Sequence, residues 1–200
     1  MIRDQLIYPR EETDAQNYYY FLDGFDADEM QRIEAGVALL PLTEATVAGG
    51  GVVETRRSNI KWIPQSEDWS WLYEKLSVYA WRANEALWHF DLESLPEQVQ
   101  YTEYLASDKG KYDWHQDIGP ALMSLRKVSI TVQLSAADDY VGGELEFFKG
   151  GQLLDANYFR APRQAGCVVV FPSYMLHRIT PVTSGVRKSF VIWSGGAHYK

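Results

Sequence analysis

After Pro96 the chain breaks into short segments of strand chemistry, at 98–105, 112–117, 126–135, 143–148, 166–171 and 187–193. Turn signals separate them: Asp108-Lys109-Gly110, Gly119-Pro120, Asp138-Asp139-Tyr140, Gly142-Gly143, Gly150-Gly151 and Ser184-Gly185. Several segments alternate apolar and polar residues, as half-buried strands do. Many short strands with regular turns fit a sandwich or a barrel. This half of the chain is therefore expected to close into a jelly roll.

The first half has a different period. Residues 23–40 place Phe25, Met30, Ile33 and Val37 on one helical stripe, with Asp26 or Asp28 as the cap and Pro41 as the stop. A second helix is expected from Ser66 to about residue 89, with Trp69, Leu72, Tyr73, Leu76, Tyr79, Ala80, Ala83 and Leu87 on its apolar face. Between them, 41–60 carries Gly49-Gly50-Gly51 and reads as a loop running into extended structure. The expected architecture is mainly β with N-terminal helices. It is one domain over 1–200, with helical support and substrate-covering loops in 1–97 and a jelly-roll core in 98–196.

The chemistry concentrates in Tyr112-Asp113-Trp114-His115-Gln116-Asp117. On a strand, residues two apart face one side, so His115 and Asp117 point together while Trp114 and Gln116 point away. The best third ligand is His177, 60 residues after Asp117. Two imidazoles and one carboxylate leave three positions of an iron open, room for a bidentate cosubstrate and O2. His115 and Asp117 alone are equally compatible with a buried ion pair or with exposed strand residues. A second His-x-Asp, His89-Phe90-Asp91, falls at a helix end, where residues two apart do not face each other. His89 reads as a packed or capping residue.

Arg187 follows His177 by ten residues, and a strand over 187–193 puts Arg187, Ser189, Val191 and Trp193 on one face. A guanidinium matches a carboxylate bidentately, and Ser189 adds a hydroxyl. Arg187 thus suits the distal carboxylate of a dicarboxylate, with a surface ion pair as its bland alternative. Such an anchor sets this pattern apart from a cupin-like isomerase or sugar-binding module, which needs no dicarboxylate beside its metal.

In this order, Tyr104, Gly110, Tyr112, His115, Asp117, Gly142-Gly143-Glu144-Leu145, Ala165-Gly166, Phe171-Pro172, His177 and Arg187 resemble the 2-oxoglutarate/Fe(II) oxygenase superfamily. The resemblance is nearest to its prolyl 4-hydroxylase-like branch, with the PKHD-type hydroxylases, and Arg56-x-Ser58 is similar to a segment of that branch. It implies a double-stranded β-helix and a dioxygenase using Fe(II), 2-oxoglutarate and O2, with ascorbate as a reductant. It also implies Tyr104, with Tyr101 as the alternative, as a hydroxyl donor to the cosubstrate, and Thr131 as another inward polar residue. The Gly142-Gly143 turn reads as architecture, because paired glycines allow positive φ.

The expected substrate is a peptide, prolyl-like, or an amino acid, with Arg57, Trp62 and Trp193 in contact with it. The loops 41–64 and 149–165 are expected to cover it. A net charge of −8 argues against a nucleic-acid partner. No apolar run reaches the length of a membrane span, and the opening MIRDQLIYPREE lacks the apolar stretch of a signal peptide. The single cysteine, Cys167, excludes an intrachain disulfide framework and reads as packed; His198 reads as exposed. A reducing cytoplasm is the expected compartment.

Overall fold

The computed structural model describes residues 18–44, 55–150 and 157–197. Expectations placed on the opening residues, Gly49-Gly50-Gly51, Gly151, the tips of the two covering loops and His198 fall outside them. No helix among the described residues is long and apolar enough to cross a membrane.

Helix α1 (Ala27–Ala38) starts at Asp26, not Asp28. Glu29 N donates to Asp26 Oδ1 at 2.9 Å, and Asp26 N donates to Glu29 Oε2 at 3.0 Å. This reciprocal pair satisfies two donors that a helix start leaves open. Helix α2 (Ser70–Leu87) is preceded by a single tight turn, Glu67–Trp69. Asn84 closes its far end: its side chain bonds both the N–H and the carbonyl of Phe90, while His89 N donates to its backbone oxygen. His89 is exposed in the left-handed region at φ 55, so it takes part in the helix stop and is not packed.

Strands β1 (Tyr19–Phe21), β2 (Thr43–Glu44), β3 (Arg56–Arg57), β4 (Asn59–Ile63) and β5 (Leu92–Ser94) come from the first half of the chain. The second half supplies β6 (Val99–Leu105), β7 (Lys111–His115), β8 (Arg126–Gln133), β9 (Tyr140–Gly142) and β10 (Leu145–Phe148). It continues with β11 (Tyr158–Arg160), β12 (Val168–Pro172), β13 (His177–Ile179) and β14 (Val182–Gly196). The larger sheet runs β1-β12-β8-β14-β6-β4-β2, with β5 and β9 also paired to β14; the smaller runs β11-β10-β13-β7-β3. The two antiparallel sheets form the double-stranded β-helix, or jelly roll, with both helices packed on the outer face of the larger one.

Strand alternation divides the interior in two. Val128, Ile130 and Val132 of β8 and Phe190 and Ile192 of β14 meet Ile33, Leu72, Leu76 and Ala80 of the helices. Each large aliphatic side chain buried there contributes about 1.5–3 kcal/mol. The opposite faces of the same strands carry Ser129, Thr131 and Gln133, and Arg187, Ser189 and Trp193; these are buried too. A strand alternating apolar and polar residues was expected to be half exposed. Here its polar face looks into the gap between the sheets, and that gap is the site.

The Gly142-Gly143 turn is architectural, with a consequence for the site. Both glycines have positive φ, and a Cβ on Gly142 would stand 2.1 Å from the Pro181 carbonyl oxygen. A Cβ on Gly143 would stand 2.9 Å from Cδ of Arg187, so this turn leaves the arginine its space.

Candidate metal centre

His115 and His177 face each other across the β7–β13 pair, with ring centroids 4.1 Å apart. Asp117 reaches them by a different route from the one expected. Strand β7 ends at His115, so Asp117 lies beyond it and alternation does not orient it. Its backbone is pinned at both ends: its N–H donates to Ser173 O at 2.9 Å, and its carbonyl accepts from Arg126 Nη1 at 2.9 Å. The ligand atoms of the three residues lie within 4.8 Å of one another. Gln116 also departs from expectation, lining the pocket, whereas Trp114 turns outward beneath Arg178.

The imidazoles are set up as ligands. Nδ1 of His115 bonds the Asp113 carbonyl at 2.7 Å, and Nδ1 of His177 bonds the Met175 carbonyl at 2.8 Å. A carbonyl only accepts, so each Nδ1 carries a proton, which leaves Nε2 as the atom that can serve as a ligand. Those Nε2 atoms stand 3.6 and 3.7 Å from the two Asp117 oxygens. Burial, and then the neighbouring His115, push His177 down to about 4 against the pull of Asp117, which leaves it neutral at neutral pH. Burial alone would raise the Asp117 carboxyl; His177, His115 and the Ser129 hydroxyl outweigh it and hold the group well below its ordinary value. A neutral His177 beside an ionised carboxylate is what a divalent cation requires.

Ser129 fixes the carboxylate. Its Oγ donates to Asp117 Oδ2 at 2.7 Å and stands 3.0 Å from Ser173 Oγ. Partners of this kind are worth about 10–100-fold in metal affinity. Ser129→Ala is therefore expected to weaken Fe(II) or Co(II) binding by about that factor, with Ser129→Thr retaining most of it, as read by metal titration. Equal affinities in wild type and Ser129→Ala would remove Ser129 from this role.

The donors open into a cavity of about 430 Å³. Among its lining residues is Arg187, only 1% exposed. Nη1 donates to Ser189 Oγ at 2.8 Å and Nη2 to Gln133 Oε1 at 2.9 Å, while Nε has no partner among the described residues. Both partners are neutral. Tyr104 and Thr131 line the same cavity, the Tyr104 ring 5.4 Å from the guanidinium carbon and the Thr131 hydroxyl donating to Phe190 O. Tyr101 does not: it faces the helices, where its hydroxyl meets Glu34 and Glu103.

Of the residues expected to touch substrate, Trp62 and Trp193 line the cavity and Arg57 does not. Neighbours on a strand face opposite ways, so β3 turns Arg56 inward and leaves Arg57 outside, with Nη1 3.4 Å from Asp108 O. Arg126 escaped the sequence reading. It pairs with Glu97 and lies 3.6 Å over the Trp193 ring, tying that ring to the Asp117 carbonyl. Ser129 and Gln133 left a signal, the polar positions alternating with Val128, Ile130 and Val132; Arg126 left none.

Two histidines and a carboxylate facing the interior of a jelly roll have the donor set of the non-haem iron oxygenases. A family model described as the 2OG-Fe(II) oxygenase superfamily matches residues 99–195. The chain is 43% identical over 82 residues to a PKHD-type hydroxylase of Synechococcus sp. (strain CC9605), a match covering 41% of this chain and 35% of that protein. It is 38% identical over 108 residues to a PKHD-type hydroxylase of Teredinibacter turnerae (strain ATCC 39867 / T7901), covering 50% of this chain and 45% of that one. The matches thus span less than half the length of these relatives. Its fold is similar to that of a Pseudomonas putida prolyl-4-hydroxylase, with a TM-score of 0.65 at 23% identity over 90% of this chain and 92% of the other. The chain belongs to the 2OG-Fe(II) oxygenase superfamily and is similar to its PKHD-type hydroxylases.

Proposed function

We propose that the chain is an Fe(II)- and 2-oxoglutarate-dependent dioxygenase that hydroxylates a C–H bond in a peptidyl, prolyl-like, or amino-acid substrate. The observation that carries this reading is Arg187: a buried guanidinium with only neutral partners, lining the cavity that holds the three donors. Burying an unpaired cation costs several kcal/mol, which the carboxylate of a bound dicarboxylate offsets. A non-oxidative, cupin-like metal site has no use for such a cation.

His115 Nε2, His177 Nε2 and an Asp117 oxygen would hold the iron from one side. Bound there, iron supplies O2 activation coupled to conversion of 2-oxoglutarate into succinate and CO2. Arg187 and Ser189 would hold the far carboxylate of the cosubstrate, and Tyr104 and Thr131 would border its chain. The apolar walls, among them Phe171, Ile179 and Leu145, keep water away from the reacting end. No protein group has to act as a general base. We place this activity in the cytoplasm, a reducing compartment in which the one cysteine, buried Cys167, needs no partner.

The direct test is succinate formation from 2-oxoglutarate, with Fe(II), across peptides and free amino acids. A substrate-dependent rise above the substrate-free rate is expected, and chelation of Fe(II) should abolish it. No succinate anywhere in the panel, together with no Fe(II)/2-oxoglutarate complex, would refute the reading.

A further inference from the structure

The cavity holds a second buried guanidinium that the cosubstrate end does not use. Arg56 is 8% exposed and lines the cavity. Nε donates to Ser58 Oγ at 2.9 Å and Nη2 to Gln100 Oε1 at 2.7 Å. Both acceptors are neutral, and Arg56 forms no ion pair among the described residues. A guanidinium has five N–H donors, so three remain. Arg126, which also lines the cavity, is different: Glu97 neutralises it.

Arg56 and Arg187 are tethered to different residues of β6. Gln100 and Tyr104 lie on one face of β6, four residues apart, which a strand spans in roughly 13 Å. Tyr104 is paired with Arg187, and Gln100 is bonded to Arg56, so each cation has its own place along β6. Arg56 is nonetheless close to the metal donors. Its guanidinium carbon lies 4.9 Å from the centre of the Tyr112 ring, and that ring stacks on His115 at 3.5 Å. A group received by Arg56 is held one aromatic ring away from His115. Trp62, paired with Gln100 on the neighbouring strand, borders the same position.

We propose that the substrate carries its own carboxylate and that Arg56 receives it. The proposal rests on the dioxygenase reading and narrows it. Three sources share this chemistry: a free amino acid, the C-terminal residue of a peptide, and an acidic side chain beside the hydroxylated residue. A neutral internal segment would leave the Arg56 charge buried without a counter-charge.

The test uses the whole chain loaded with Zn(II), as a redox-inert metal, and 2-oxoglutarate. Ligand-observed NMR compares matched pairs: the common L-amino acids against their carboxamides, prolyl peptides with free against amidated C-termini, and Glu- against Gln-containing prolyl peptides. In at least one set the carboxylate member should bind about tenfold or more tighter, the value of one charge-assisted hydrogen bond. Arg56→Met should erase that preference. Arg56→Lys, which keeps a charge without the planar fork, should retain part of it. 2-Oxoglutarate binding by Arg56→Met reports that it is folded; if it is not, the preference must fall in Arg56→Lys. Equal binding within every pair, no binding by any carboxylate, or a preference that survives Arg56→Met would overturn the proposal. Failure of the wild type to take up Zn(II) and 2-oxoglutarate at all would instead sink the dioxygenase reading beneath it.

Discussion

His177→Ala is expected to lose Fe(II) binding by more than about 100-fold and to form no succinate. The scale follows from the surroundings: residues that merely orient a ligand are worth about 10–100-fold, so removing a ligand costs more. His177 Nε2 is one of three donors, its ring is held by Met175 O, and burial keeps it neutral. The variant should still fold, since the ring leaves a cavity beside Phe171 and Phe147 that β13 survives through its pairing with β10 and β7. The measurement is the visible absorption of the anaerobic Fe(II)/2-oxoglutarate complex, with His89→Ala as the control. His89 is exposed at the end of α2 and lies outside the donor cluster. An undiminished band in His177→Ala would dismantle the assigned metal centre.

Arg187→Met should separate cosubstrate from metal. A charge-assisted hydrogen bond is worth about 1.5–3 kcal/mol, so losing a two-pronged contact weakens 2-oxoglutarate binding by more than about a hundredfold. Metal titration should change little, because Arg187 touches none of the three donors; its contacts are Ser189, Gln133 and the Tyr104 ring. Methionine fills comparable volume without a buried charge, so the fold is retained. Calorimetric titration of 2-oxoglutarate into both proteins decides the matter. Matching affinities would leave the cation without its assigned partner.

The jelly roll was legible because strands and turns leave local marks, and the turn glycines and the α1 cap behaved as their chemistry requires. Where the reading failed, the missing quantity was a contact between distant segments. Alternation in β8 looked the same whether its polar face met water or a cavity, and only the smaller sheet lying over Ser129, Thr131 and Gln133 decides it. Arg57 was named as a substrate contact, and a two-residue strand carries no period from which to tell that Arg56 is the one facing inward. Asp117 was grouped with His115 for a reason the structure replaces. It reaches the site through Ser173, Arg126 and Ser129, at most 56 residues away along the chain, and no spacing rule anticipates that. Short edge strands such as β3 and β11 form by pairing, not by propensity, and so left no signal of their own.

The two histidines and the aspartate differ in what keeps them aimed. Each imidazole is oriented by a main-chain oxygen two positions before it, Asp113 O for His115 and Met175 O for His177. Every residue type supplies that oxygen, so substitutions at 113 and 175 leave the acceptor in place. Asp117 depends on the Ser129 hydroxyl at its carboxylate and the Arg126 guanidinium at its carbonyl, side-chain groups that single nucleotide changes can delete. Random mutation should therefore erode this centre unevenly: variants that keep all three donors but lose metal should cluster at Ser129, Ser173 and Arg126, around the aspartate, and be scarce around the histidines. A deep mutational scan scored by metal uptake would show that asymmetry as a map.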